Sequence, residues 1–395
     1  MTPVRARLLV TVVATVAALG LASCQYYDVS TLASPAFGGR DAGTAGGQAA
    51  RNWLVKQLRA IPGVVGANPA RGSGSVSFVQ PFGTDEGNVV AMLRGTELPN
   101  DYVVIGGHYD HLGARCRTAV GGDPTDHLCN GATDNAAGVS AVLAVARRLA
   151  KEGALRRTVV FALWDGEEET EVGSKYYIAH PLVPLAHTVA YLNTDLLGAN
   201  LLPSLRHLTF AVGAESGGTR LQEMVHALDG DSSLRVLQMP IVFGAGRSDQ
   251  SSFLAAKIPS VFYGDSTGPC YHSAQDDVGV VDFTKLARQT DTFYFLTRNL
   301  GNTHTLPTFV ANTPVATYAQ VVAFQEVEDD AVADYARFSS DDQATLTAGR
   351  AKIHQIVDAG AAAFSTQDVS DFLFTASTDV GLLRHLACDG YLAPG

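Results

Sequence analysis

The sequence predicts an α/β/α sandwich around a mostly parallel mixed sheet, followed by a helical C-terminal extension. Short β-branched or aromatic runs recur along it: "DYVVIGG" (101–107), "TVVFALW" (158–164), "HTVAYLN" (187–193), "HLTFAVGA" (207–214) and "PSVFYG" (259–264). Amphipathic helical patterns alternate with several of them, as in "AAGVSAVLAVARRLAKEG" (136–153). Such alternation is how a largely parallel sheet is buried between helices. The composition agrees, because 46% hydrophobic and 17% charged residues describe a packed chain rather than a disordered one.

Taken in order, the chain opens on "MTPVRAR", which carries two arginines, and on the apolar "LLVTVVATVAALGLA". That segment has signal-peptide length and is short for a membrane span. It ends at "LASC", Leu21 to Cys24, which resembles the bacterial lipobox. The resemblance implies cleavage before Cys24, lipid on its thiol, and an exported protein tethered to a membrane surface without a spanning helix. Residues 1–23 are thus expected to be a lipoprotein signal peptide, residues 24–302 the main domain, and residues 303–395 the helical extension.

After the loop-rich "STLASPAFGGRDAGTAGGQAAR" (30–51), "GGQAARNWLVKQLRAI" predicts a helix, with Trp53, Leu54, Leu58 and Ile61 near helical spacing. The extended stretches "SVSFVQPF" and "NVVAMLRG" follow, and then the strand–helix alternation. The Thr/Pro-rich "THTLPTFVANTPV" (303–315) is a connector. Beyond it, Tyr318 to Leu346 and Ala351 to Phe372 read as helices, a cap without chemistry of its own.

A formal net charge of -11 and the lack of a basic stripe exclude a nucleic-acid partner. Beyond Cys24 stand Cys116, Cys129, Cys270 and Cys388. Export favours pairing. Cys116 and Cys129 bracket one loop and form the best local pair, closing ~14 residues for about 3 kcal/mol; Cys270 and Cys388 could pair or remain thiols.

In doubly wound folds, ligands bind beyond the carboxyl ends of the strands. There this chain places "GGHYDHLG", with His108 and Asp110, and "TDNAAG", with Asp134 before a helix. It also places "WDGEEE", with Glu167 and Glu168, "NTDLLG", with Asp195, and "YHSAQDD", with Tyr271 and His272. Carboxylates crowded like this need a cation or water around them. Mixed imidazole and carboxylate ligation suits zinc, and a shared carboxylate suits two ions ~3.5–4 Å apart.

Together the five motifs resemble the M28 family of zinc aminopeptidases and carboxypeptidases, over about Leu32 to Gly301. The resemblance implies two Zn²⁺ ions and a peptide substrate. Asp134 would bridge the ions, with His108 and Asp195 completing one site and Glu168 and His272 the other. Glu167 would be the general base, Asp110 would orient His108, and Tyr271 would donate to the oxyanion. It also implies a cis peptide at Asp134–Asn135. Glutaminyl cyclases resemble a one-metal version of the fold, so retention of both His108 and Asp195 favours hydrolysis. A lipid-anchored binding protein would need no Glu167. Carboxypeptidases share the same ligands, so aminopeptidase activity is the expectation and carboxypeptidase the alternative.

The remaining residues are read more plainly. Asp165, Glu169 and Glu171 are expected to be solvated, and His111 and His127 to be loop residues that bind no metal. "GGRDAGTAGG" is a structural loop. In "GRSDQSSF" (246–253), Gln250 stands where the family often has histidine, and Arg247 either meets substrate or sits in a salt bridge.

Overall fold

The computed structural model describes residues 24–69, 76–229 and 234–390. The expected signal peptide, residues 1–23, lies outside the described residues. Residues 24–32 are helical (α1) and lead into α2 (Ala45–Arg59), where the Thr44 hydroxyl accepts the Gly47 N–H and stops the chain from fraying. The strands are β1 (Val64–Gly66), β2 (Asn68–Pro69), β3 (Val76–Ser77), β4 (Val79–Phe82), β5 (Glu86–Leu93), β6 (Leu98–His108), β7 (Arg157–Trp164), β8 (Thr188–Thr194), β9 (Leu208–Val212), β10 (Arg235–Met239) and β11 (Ser260–Gly264). The main-domain helices that follow α2 are α3 (Ala137–Glu152), α4 (Val172–Ala179), α5 (Gly218–His226), α6 (Gln250–Ala255) and α7 (Phe283–Asn302).

The main sheet runs β1-β5-β7-β6-β8-β11-β9-β10, with β4 beside β5. Its centre, β7-β6-β8-β11, is parallel, as the strand–helix alternation predicts, while β5 and β9 join the flanks in antiparallel pairs. Side chains alternate between two cores. Val103 and Ile105 of β6 face the core of α2, α3 and α7, and Val104 faces Trp164, Tyr177 and Phe253 on the α4–α6 side. A buried relay closes this second core. Trp164 Nε1 donates to the Tyr191 hydroxyl (2.7 Å), Tyr191 donates to Asn193 (2.6 Å), and Asn193 Nδ2 donates to Ser248 Oγ (2.8 Å). The relay holds the 246–253 segment under the carboxyl ends of β6 and β8.

The C-terminal extension is helical, but its breaks fall elsewhere than the sequence patterns place them. It forms α8 (Tyr318–Ala331), a 3-10 turn (Val332–Arg337), α9 (Ser340–Ala359) and α10 (Thr366–Leu382). Local caps explain the difference. Ser339 accepts the Asp342 N–H and starts a new helix, Gly360 ends it with φ 81°, and Ser365 and Asp368 form a capping box. The three helices share a core with Leu201, Leu205, Leu237 and Met239 of the main domain. Among the described residues, no helix is long and apolar enough to cross a membrane.

Candidate metal centre

Three neighbouring parallel strands deliver the site. β6 ends on His108, the turn after β7 carries Glu167 and Glu168, and β8 is followed at once by Asp195. Asp134 lies in the tight turn before α3, and the Asp134–Asn135 peptide is cis, as the motif implies. Asn135 Nδ2 donates to the Thr194 carbonyl at 2.8 Å, tying this turn to the end of β8. His272 comes from the long loop after β11.

The side chains converge around Asp134. Its Oδ1 is 3.2 Å from His108 Nε2, and its Oδ2 is 3.3 Å from His272 Nε2. His108 Nε2 also lies 3.4 Å from Asp195 Oδ1, and His272 Nε2 lies 3.1 Å from Glu168 Oε2. The result is two groups, each of one imidazole and one carboxylate, with one oxygen of Asp134 directed to each. Tetrahedral ligand atoms ~2.0–2.1 Å from zinc sit ~3.3 Å apart, so the donor set fits zinc in type and spacing. Asp134 Oδ2 is buried and accepts no hydrogen bond. An orphaned carboxylate oxygen of this kind is what a metal ligand leaves when no ion is counted.

Charge tells the same story. Burial pushes the His108 imidazole down, yet Asp195 and Glu167 outweigh it and hold it well above its ordinary value. Burial likewise opposes His272, but Asp134 and Glu168 raise it to about 10. Burial pushes Glu167 well above the usual carboxylate range, helped by Asp249, Asp195 and Glu168 against His108. Burial and Asp134 also act to raise Glu168, but hydrogen bonds from His111 and His272 prevail and leave it at about 2. So many buried acids demand cations, and zinc would supply them.

Asp110 sits where the motif puts it, with a divided role. His108 Nδ1 is 3.2 Å from the Asp110 carbonyl and 3.7 Å from its carboxylate. That carboxylate accepts the N–H groups of Glu167 (3.1 Å) and Glu168 (3.3 Å), fixing the turn that carries both. Tyr271 stacks on His272 with ring centroids 3.7 Å apart, and burial raises its phenol so that it stays a donor.

Several residues matter more than the sequence reading allowed. His111 is fully buried, and its Nδ1 lies 2.7 Å from Glu168 Oε1, leaving Oε2 for His272. Its place three residues after His108 was the available signal; only its burial reveals the contact. Asp276, inside the quoted "YHSAQDD", accepts Thr133 Oγ1 (2.7 Å) and the Asp134 N–H (3.0 Å), clamping the central ligand. Arg40 of the "GGRDAG" loop is buried and donates to the carbonyls of Leu32, Tyr109, Asn130 and Gly131. It staples the loops behind the site and sets a positive charge opposite the carboxylates. At Gly131, φ is 57° and an added Cβ would fall 2.2 Å from the Asp134 carbonyl, so this close approach requires glycine. Asp249 is buried with neither oxygen hydrogen-bonded, and burial raises it to about 8.

One expectation is corrected. Of the acidic run, only Glu169 is exposed. Asp165 is buried, accepts the Gly87 N–H at 2.9 Å, and is pushed by burial and by Asp110 to about 7. Glu171 is buried at the start of α4 and pairs with Lys175. The turn folds both back against the protein, which a one-dimensional charge run does not show. His127 is exposed, as expected of a loop residue. Both disulfides, Cys116–Cys129 and Cys270–Cys388, are formed.

A cavity of about 540 Å³ opens onto His108, Asp134, Glu167, Asp195, Tyr271 and His272, and the exposed Arg247 lines it. Among the described residues, Arg247 has no ion pair.

This fold, with a His/carboxylate centre at its strand ends, defines a class, the zinc metallopeptidases built on a mixed α/β sheet. The sequence profile of Peptidase family M28 matches residues 88–297, and the chain belongs to that family. A probable zinc metalloprotease of Leptosphaeria maculans is 31% identical over 170 residues, 41% of this chain and 37% of that protein. Leupeptin-inactivating enzyme 1 of Streptomyces exfoliatus is 26% identical over 296 residues, 69% of this chain and 60% of that protein. The chain thus spans less than two thirds of the length of these curated relatives. The LapA aminopeptidase of Legionella pneumophila shares the fold, with a TM-score of 0.56 at 16% identity over 71% of this chain and 72% of that one.

Proposed function

We propose that this chain is a di-zinc exopeptidase acting as an aminopeptidase on peptides. The observation that carries the reading is Asp134, whose two oxygens face two separate His–carboxylate groups. His108, Asp195 and Asp134 would hold one zinc, and His272, Glu168 and Asp134 the other. Zinc, when bound, supplies Lewis-acid polarisation of the scissile carbonyl and acidifies water. Glu167, which lines the cavity, takes the proton of the attacking water and returns it to the leaving amine. Tyr271 donates a hydrogen bond to the developing oxyanion. Asp110 and His111 keep Glu168 and the Glu167 turn in place.

A second reading, a carboxypeptidase, has Arg247 in its favour, an unpaired cation on the cavity wall that could receive a terminal carboxylate. Aminoacyl-p-nitroanilides and N-blocked peptides, assayed after chelation and after zinc is restored, separate the two. Zinc-dependent release of p-nitroaniline is the expected result. Cleavage confined to N-blocked peptides would establish the carboxypeptidase, and no cleavage of either would leave a binding protein.

We also infer from "LASC" that Cys24 carries lipid and holds the enzyme at the periplasmic or extracellular face of a bacterial cell membrane. Cys24 is exposed and unpaired, at the edge of the described fold and apart from the site. Cys24→Ser should move the protein from the membrane fraction to the soluble one with kcat unchanged. Wild-type protein that is already soluble, with a free Cys24 thiol, would sink the tether.

A further inference from the structure

The cavity does not stop at the metal centre. It runs on beneath the C-terminal helices, between Phe210, Met239 and Phe243 of the main domain and Phe324, Val327 and Leu373 of α8 and α10. We propose that the C-terminal three-helix unit is the specificity wall of the active site, and that it selects a bulky apolar side chain on the terminal residue of the peptide. This inference rests on the exopeptidase reading and names the substrate class of that same site.

Continuity is the first support, since one cavity holds both His108 and Phe324 on its lining. Its occupant is therefore the part of the substrate that adjoins the cleaved bond. Chemistry is the second. The named wall residues are aliphatic, aromatic or thioether and outnumber the polar groups of the chamber, Glu328, Tyr335, Ser377, Asp379 and Arg384, so a side chain packed on them is favoured in proportion to the apolar area it buries. Rigidity is the third. Phe372 of α10 lies edge-on to both Phe243 and Phe324, with ring centroids 5.4 and 5.3 Å apart, so the wall is locked to the segment that leads to Arg247. The Cys270–Cys388 disulfide joins the far end of the unit to the residue before Tyr271. A wall held at both ends can discriminate by size.

Glu328 and Asp379 are the acids of this wall. They lie against each other on α8 and α10, and burial raises Glu328 to about 10 and Asp379 to about 6. Arg350, a cation that acts on Glu328, is engaged by Asp329. Both acids line the cavity, with Glu328 Oε2 and both Asp379 oxygens buried in its wall.

Gly381, near the end of α10, lines the cavity, and a Cβ added there meets nothing within 4 Å. Gly381 is exposed where it lines the cavity, so Gly381→Phe adds a ring at the chamber's open side with room for its Cβ, and it touches none of the proposed zinc ligands. With zinc-loaded wild-type protein, kcat/KM should favour leucyl- and phenylalanyl-p-nitroanilide over alanyl-p-nitroanilide by at least ~100-fold, since one missing methylene in an apolar pocket is worth about 10–200-fold. Gly381→Phe should cut the large substrates at least ~10-fold, mainly through KM, and leave the alanyl substrate, the zinc content and Tm near wild type. Leu373→Ala should shift preference towards still larger side chains. Equal loss on all substrates in Gly381→Phe, or no change on any, overturns the proposal. A preference for lysyl over norleucyl substrates overturns it too, by making the acids of the wall a cation receptor. If wild-type protein cleaves nothing, the exopeptidase reading fails instead, and the two failures are distinct.

Discussion

Glu167→Gln is expected to keep the zinc complement of the wild type and to lose about 10²–10⁴ in kcat, the usual share of general-base catalysis. The amide keeps the size of Glu167 and cannot accept a proton. Because the loss lies in the transition state, kcat and kcat/KM should fall together while substrate binding persists. Glu168→Ala should behave differently. Glu168 divides its oxygens between His111 and His272, so truncation removes a ligand and leaves two imidazoles without their acceptor. Zinc should fall below the wild-type level, and stability with it. Elemental analysis beside kcat decides the pair. If Glu167→Gln loses zinc, or keeps near-normal turnover, the two adjacent glutamates have been assigned the wrong way round.

Removing the Cys270–Cys388 disulfide should cost the chain more stability than any single surface change. The cysteines are 118 residues apart. A loop of that length constrains the unfolded chain by about 5 kcal/mol in the loop-entropy treatment. The bond also ends one residue before Tyr271, while Arg117 fixes the same loop through the carbonyls of Tyr271 (3.0 Å) and Pro269 (2.7 Å). Cys270→Ala/Cys388→Ala should therefore unfold at markedly lower denaturant concentration. Its residual native fraction should bind zinc at the His272 group more weakly than at the His108 group. Denaturation midpoints and zinc titration of the double variant test both. A midpoint within error of wild type would show that the helical unit is held by its apolar core alone.

The chemistry of the centre was legible because it follows a local grammar. Three of the β-branched runs lead straight into site residues that are costly to bury alone, His108, Glu167–Glu168 and Asp195, and neighbouring parallel strands bring those ends to one edge. His108, Asp134, Glu168, Asp195 and His272 could thus be nominated from strand ends and motifs, and the structure brings all five together. The helices were readable from periodicity, since a 3.6-residue pattern is local; their ends in the extension were not, because single caps at Ser339, Gly360 and Ser365 decided them.

What the sequence determined by itself was therefore the strand–helix order and the residues that gather as a zinc-type donor set. The tertiary structure alone decided the rest. Arg40 reaches carbonyls up to 91 positions away, Asp276 clamps Thr133 from 143 positions away, and His111 acts through burial against Glu168. A tail that reads as a bland helical cap lines the cavity that opens onto His108 and Asp134. Propensity and periodicity act within windows of a few turns, whereas these contacts arise only when loops far apart in the chain are packed over a common site.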